Sequence, residues 1–154
     1  MIVFCHQRRQ QGVALMALLV VITVMGVLLT GAGEVWQTVG RREREKELLF
    51  IGMQYRNAIL SYRDRSPNGT KEYPRSFEDL LQDRRFPYPV RHLRHIYRDP
   101  ITNSLQWGQL MAGDRIIGVY SLSEQIPFKQ DNFPPGLEVF SGRQSYREWI
   151  FAGS

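Results

Sequence analysis

A chain of 154 residues with 43% hydrophobic content has room for one small domain and an anchor, and little besides. Its net charge is +5, but Arg8 and Arg9 supply two of the 20 basic residues; from Val13 onward 18 basic residues face 15 acidic ones, an excess too modest to point to nucleic acid by itself. The single cysteine, Cys5, precedes every predicted element, so a disulfide framework, a CxxC site and a thiol nucleophile are excluded for the rest of the chain.

The first element is a run from Val13 to Gly33, 21 residues without a charge. As an α-helix it rises roughly 31 Å, the thickness of a bilayer's hydrocarbon core, and it reads as a transmembrane helix. Arg8 and Arg9, with His6 beside them, hold the N-terminus on the cytoplasmic side and send the residues after Gly33 across to the periplasm. Arg41, Arg42, Arg44 and Lys46 on the far side weaken that asymmetry, and the interleaved Glu43, Glu45 and Glu47 do little to restore it. A cleavable secretory signal is the competing reading, with Thr30, Gly31, Ala32 and Gly33 imitating a cleavage site. Its apolar core would normally span about 7–15 residues, however, and here the helical pattern continues beyond the run.

No proline occurs before Pro67, so the helix is expected to run unbroken to about Tyr62. Leu48, Gly52, Tyr55, Ile59 and Tyr62 recur at helical spacing on one face, widened by Leu49, Ile51 and Ala58; Glu43, Glu47, Gln54, Asn57 and Ser61 fall opposite. Arg41 and Glu45, four apart, are placed to pair on the surface. Trp36, just past the apolar run, suits a membrane interface. Gly26, Gly31 and Gly33 fit either tolerated small residues or close helix packing.

Arg65 to Thr70 carries turn chemistry that ends the helix. Ser76 before Phe77-Glu78-Asp79-Leu80-Leu81 predicts a short capped helix to about Gln82. A single helical turn is expected at Leu93–Tyr97. Strands are expected at 105–111 and 115–121, joined through Ala112-Gly113-Asp114 as a hairpin. A proline-bearing loop follows, and Ser145–Phe151 reads as a last strand. The fold class is α+β: a long N-terminal helix, transmembrane in its first half, packed on a small C-terminal antiparallel sheet.

Residues 8–19, RRQQGVALMALL, place a basic leader and a glycine ahead of an uninterrupted apolar helix. This resembles the type IV pilin-like signal. The segments EKELLFIGMQYRNAILSY (45–62), YPRSFEDLLQD (73–83), YRDPITNSLQW (97–107) and SYREW (145–149) extend the resemblance to type II secretion pseudopilins over nearly the whole chain. The resemblance implies cleavage by a prepilin peptidase between Gly12 and Val13, N-methylation of Val13, and assembly with other pseudopilins on an inner-membrane secretion platform. It divides the chain into a cytoplasmic leader (1–12), a transmembrane helix (13–33), an amphipathic extension of that helix (34–64) and a periplasmic α+β region (65–154). The protein would be a pilin-like assembly subunit of the bacterial inner membrane rather than an enzyme.

Two departures stand out. The family's glutamate at the fifth mature position is Ala17 here, as in the larger tip-type minor pseudopilin, which leaves self-polymerisation open. The major pseudopilin's calcium loop is acid-rich, whereas residues 123–142 hold only Glu124, Asp131 and Glu138, too few hard oxygen ligands to suggest calcium.

His92 and His95, three apart and near Asp99, lack the further ligands that zinc requires and read as surface histidines in a basic segment. No nucleophile is placed with a base, and neither a metal nor a cofactor is implied. Arg84, Arg85, Arg91, Arg94 and Arg98, interleaved with Tyr88 and Tyr97, form a basic segment suited to a partner or an anion; its plainer explanation is a solvated face, or pairing with Asp79, Asp83 and Asp99. The alternative function it supports is a minor type IV pilus or DNA-uptake pilin, although the charge balance weighs against nucleic acid.

Overall fold

The computed structural model describes residues 7–153, with the side chains of all but residues 7–11, 28–37 and 68. The chain divides into two compact units, Met1–Gly40 and Arg41–Ser154. Helix α1, Gln7–Asp64, is 58 residues long. Nothing within it breaks the backbone ladder, as the absence of proline requires.

In the first unit the described apolar side chains of α1 are exposed on every side, from Val13 at 70% to Val27 at 68%. Among the described residues no helix is long and apolar enough to cross a membrane. The described apolar side chains stop at Val27, so the last part of the 13–33 run, with Gly31, Gly33 and the nearby Trp36, lies outside the residues so described.

The second unit is α+β. The C-terminal half of α1 buries Leu48, Ile51, Tyr55, Ala58, Ile59 and Tyr62, the face expected from the spacing. A short helix, α2 (Phe77–Leu81), follows a 3₁₀ turn at Pro67–Gly69. Asp79 accepts hydrogen bonds from the backbone N–H groups of Arg75 (3.0 Å) and Ser76 (3.3 Å), satisfying donors around the start of α2.

The sheet has three antiparallel strands in the order β1 (Gly108–Ala112), β2 (Arg115–Tyr120), β3 (Phe151–Ala152). The hairpin pairs Ala112 with Arg115 and Gly108 with Tyr120, with an irregularity between Leu110 and Met111. Gly113 turns the chain with φ +62°, a left-handed conformation that favours glycine. The central strand supplies the fully buried Ile116 and Val119. Tyr55 sits at the heart of one aromatic group, with Phe77 and Trp107 rings 5.4 and 5.2 Å away. Its hydroxyl accepts from the Tyr97 N–H at 3.1 Å, and burial pushes its pKa up to about 12. A second group stacks Trp149 on Phe140 at 5.4 Å, with Phe151 edge-on to Phe140.

Two expected elements differ. Leu93–Tyr97 is not a helical turn: the N–H groups of His92 and Leu93 both donate to the Leu80 carbonyl at 2.9 Å, and Asp83 bridges Val90, so the segment is held against the end of α2. Ser145–Phe151 is not one strand. The Ser145 hydroxyl accepts from the Arg147 N–H at 3.1 Å and starts a 3₁₀ turn at Tyr146–Glu148, so only Phe151–Ala152 reaches β2. Strand β1 also begins later than expected, at Gly108.

Gly52 shows how close α1 lies to the sheet. A Cβ there would overlap the ring of Phe151, itself fully buried and unable to retreat. Gly52→Ala should destabilise the second unit by about 1–3 kcal/mol, the usual cost of overpacking, read as a lowered urea midpoint. A midpoint unchanged from the parent would mean that the helix and β3 separate readily.

Candidate functional site

The positions singled out at the N-terminus lie within α1. Gly12, Val13 and Ala17 are all exposed, and no side chain meets the Gly12 Cα. No acidic side chain interrupts the described apolar stretch around Ala17.

At the start of the second unit, Glu45 does not pair with Arg41 as its spacing suggests. It is 3% exposed and turns inward. Its Oε1 accepts from the Tyr146 hydroxyl at 2.7 Å and from the backbone N–H groups of Phe128 and, at 3.2 Å, Lys129. Burial and the neighbouring carboxylate together push the Tyr146 hydroxyl well above its ordinary pKa, so it stays a donor. The carboxylate thus ties α1 to the 125–130 loop and to the 3₁₀ turn at Tyr146, more than eighty residues away in sequence. Helical periodicity does place Glu45 on the buried side of α1, three residues before Leu48, but charge conventionally reads as surface.

The other end of the same helix face is closed by a second buried polar group. Arg85 holds Asp83 through two nitrogens, at 2.9 and 2.7 Å, and donates to the Tyr62 carbonyl at 2.8 Å and the Ser66 hydroxyl at 2.7 Å. Its guanidinium lies 3.5 Å from the Tyr62 ring centroid. It satisfies a carbonyl that the end of α1 leaves open and places a cation at the negative end of the helix dipole. Burial would raise the Asp83 pKa, but the hydrogen bonds from Arg85 and His92 outweigh it and hold the group below its ordinary value.

His92 is a correction to the surface reading: its side chain has no exposed area. Nε2 lies 3.2 Å from Asp83 Oδ2 and Nδ1 2.9 Å from Ser61 Oγ. Because the carboxylate only accepts, the neutral ring donates from Nε2 and accepts the Ser61 hydroxyl at Nδ1. Burial depresses the imidazole pKa, and the attraction of Asp83 does not reverse this; Arg65 and Arg85 add to the depression. Ser61, His92 and Asp83 therefore form a hydroxyl–imidazole–carboxylate relay that sequence spacing did not reveal. The imidazole and carboxylate are both sealed, with the carboxylate gripped by Arg85. The relay works as a staple between α1 and the 83–92 loop.

The basic segment is divided. Arg85 is internal, whereas Arg84, Arg91, Arg94 and Arg98 are exposed. Arg91 and Arg94 border a shallow recess with Leu81, His95 and Ile96. Arg98 donates to the Asn103 carbonyl at 3.2 Å. Of the three acids considered as partners, only Asp83 takes an arginine. Asp79 sits at the start of α2, and the buried Asp99 accepts from Ser121 Oγ (2.6 Å), Thr102 Oγ1 (2.9 Å) and the Ile101 N–H (2.8 Å). His95 instead packs on Tyr97, 4.0 Å between centroids. Among the described residues no three His, Cys, Asp or Glu side chains are grouped to hold a metal ion. Glu124 pairs with Arg147, and Glu138 accepts from the Gly136 N–H.

Glu45→Ala should leave the Tyr146 hydroxyl and two loop N–H groups without an acceptor. A loss of about 2–4 kcal/mol is expected, from about 1–3 kcal/mol per stranded buried donor with partial relief by water; chemical denaturation with Tyr146→Phe as the second arm of a cycle checks it. His92 sets a pH dependence. Its folded pKa is depressed, so as pH falls below about 6.5 the unfolded chain takes up the proton first, and stability declines until the folded pKa is reached. The slope cannot exceed about 1.4 kcal/mol per pH unit for one proton. His92→Gln should flatten it over that window when thermal midpoints are followed against pH, while a slope equal to the parent's would assign the proton elsewhere.

No family model, no curated protein and no solved structure matches the chain.

Proposed function

We propose that the chain is a pseudopilin subunit of a type II secretion system, held in the bacterial inner membrane by residues 13–33 with its second unit in the periplasm. The observation that carries this reading is the change of character along α1. Through Val27 the described apolar side chains face outward on all sides, while from Glu45 to Tyr62 the same helix buries a single face beneath an α+β layer. Apolar surface on every side of a helix has two stable environments, lipid and other apolar helices. A subunit that moves from a membrane into a filament core uses both in turn. The leader RRQQG ahead of Val13 supports processing at Gly12–Val13, and the exposed glycine is compatible with it.

Ala17 bears on how such a subunit would join a filament. Without a carboxylate at that position there is no charge for a neighbour's N-terminal amine to meet, so assembly would rely on apolar packing and on contacts of the second unit. The role is one of assembly with other pseudopilins and the secretion platform rather than catalysis. The DNA-binding alternative is less well supported, because Arg85 is bonded to Asp83 and Tyr62 and the Tyr97 ring packs against His95 and Tyr55.

Intact-mass measurement of membrane-extracted protein, made in a host with a prepilin peptidase, tests this reading. The expected product lacks residues 1–12 and carries one added methyl group on Val13, and Gly12→Val should leave the full-length, unmethylated chain. A mature protein beginning near residue 34, or a wild-type chain never cut at Gly12, would overturn it.

A further inference from the structure

We propose that the 126–128 loop and the cations flanking Glu45 form a face that docks the second unit on anionic phospholipid headgroups. The inference rests on reading residues 13–33 as the membrane anchor.

The loop tip is unusually apolar for an exposed segment. Ile126 is 68% and Phe128 50% exposed, separated by a buried Pro127. Single exposed apolar residues need no explanation, but here they stand amid cations. At 3.6 residues per turn, with Glu45 facing the loop, Arg41 and Arg44 fall on one flank of α1 and Arg42 and Lys46 on the other. Glu43 and Glu47 point away from the loop. The contacts agree with this division. Arg42 and Lys46 border a cleft of about 420 Å³ together with Lys129, while Arg41 and Arg44 border a narrow crevice on the other side with Ile126. The Arg42 guanidinium lies 5.0 Å from the Phe128 ring centroid.

Acids offset only part of this field. Glu43 pairs with Lys46 at 2.7 Å and the buried Glu45 adds a second negative charge, against the five cations Arg41, Arg42, Arg44, Lys46 and Lys129. Asp131 is the one exposed carboxylate lining the cleft. Basic side chains around apolar loop residues that can enter the headgroup layer are the chemistry of a surface that binds anionic lipid.

Chain length bounds the distance. Eight residues separate Gly33 from Arg41, so Arg41 lies within about 29 Å of the end of the 13–33 run whatever path the chain takes.

The test uses the full chain with Cys5→Ser, carrying a nitroxide on Ile126→Cys or, separately, Val20→Cys. It is reconstituted in vesicles of phosphatidylcholine alone and of phosphatidylcholine with phosphatidylglycerol. Collision with oxygen against a water-soluble nickel chelate reports whether each label lies in lipid or water. The expected result is a lipid-side label at 126 in phosphatidylglycerol vesicles, and an aqueous one in phosphatidylcholine or in molar salt, where screening falls to about 3 Å. Arg42→Glu with Lys46→Glu should lower the docked fraction relative to the undocked at least about 30-fold, from roughly fivefold per cation lost. A label at 126 that stays aqueous in phosphatidylglycerol while the Val20 label lies in lipid overturns this inference alone. An aqueous Val20 label overturns the anchor as well. A lipid-side label at 126 that ignores lipid charge and salt would also overturn it, because apolar insertion would then act without the cations.

Discussion

Everything in the second unit is arranged around one strip of helix, the face of α1 from Leu48 to Tyr62. An isolated amphipathic helix gains little from propensity alone, and its stability comes from what covers its apolar side. Here the cover is assembled from distant parts of the chain: Leu80 from α2, Trp107 ahead of β1, Ile116 and Val119 from the central strand, and Trp149 and Phe151 from the C-terminus. A three-stranded sheet with a two-residue final strand would not hold its shape without such a backing. The close approach at Gly52 follows from the same need, since the sheet is too small to bury its aromatic residues unless it lies directly on the helix backbone.

Polar groups pin that strip at both ends. Glu45 gathers donors from the 125–130 loop and Tyr146, and Arg85 closes the opposite end over Tyr62 with Asp83 and His92 behind it. Buried charges are poor sources of net stability but strong sources of specificity, because each removed partner strands the others. Neither the 83–92 segment nor the 125–130 loop has regular structure to define its path. In both, side chains satisfy the backbone and carbonyl groups that a helix or sheet would otherwise satisfy. The hydroxyl–imidazole–carboxylate relay belongs to this logic. It has the connectivity of a catalytic triad, and its buried imidazole and carboxylate join α1 to the 83–92 loop.

The proposed role depends on the contrast between this strip and the helix before it. Where Leu48 and Tyr55 are buried, the described apolar side chains from Val13 to Val27 are exposed. Membrane insertion, filament packing and headgroup contact near Arg41 would each complete a different part of the same helix.

The long helix, its buried face and the hairpin were legible in the sequence because each rests on local rules. These are the absence of proline before Pro67, apolar residues at intervals of three and four, and the Gly113-Asp114 turn signal between two largely apolar runs. The short helix was legible for the same reason, from Ser76 and the acids after it. The sequence by itself therefore determined where α1 runs, which side of it faces inward, and that no charge falls between residues 13 and 33. Only the tertiary structure decided that Glu45 is internal, that His92 is buried against Asp83, that Arg85 leaves the basic segment for the end of α1, and that Ser145 starts a turn instead of a strand. Each of those outcomes turns on a hydrogen-bond partner two to more than a hundred residues away. A charged or hydroxyl side chain carries no periodic signal that says whether such a partner will arrive, so its place is settled only when the donors and acceptors meet.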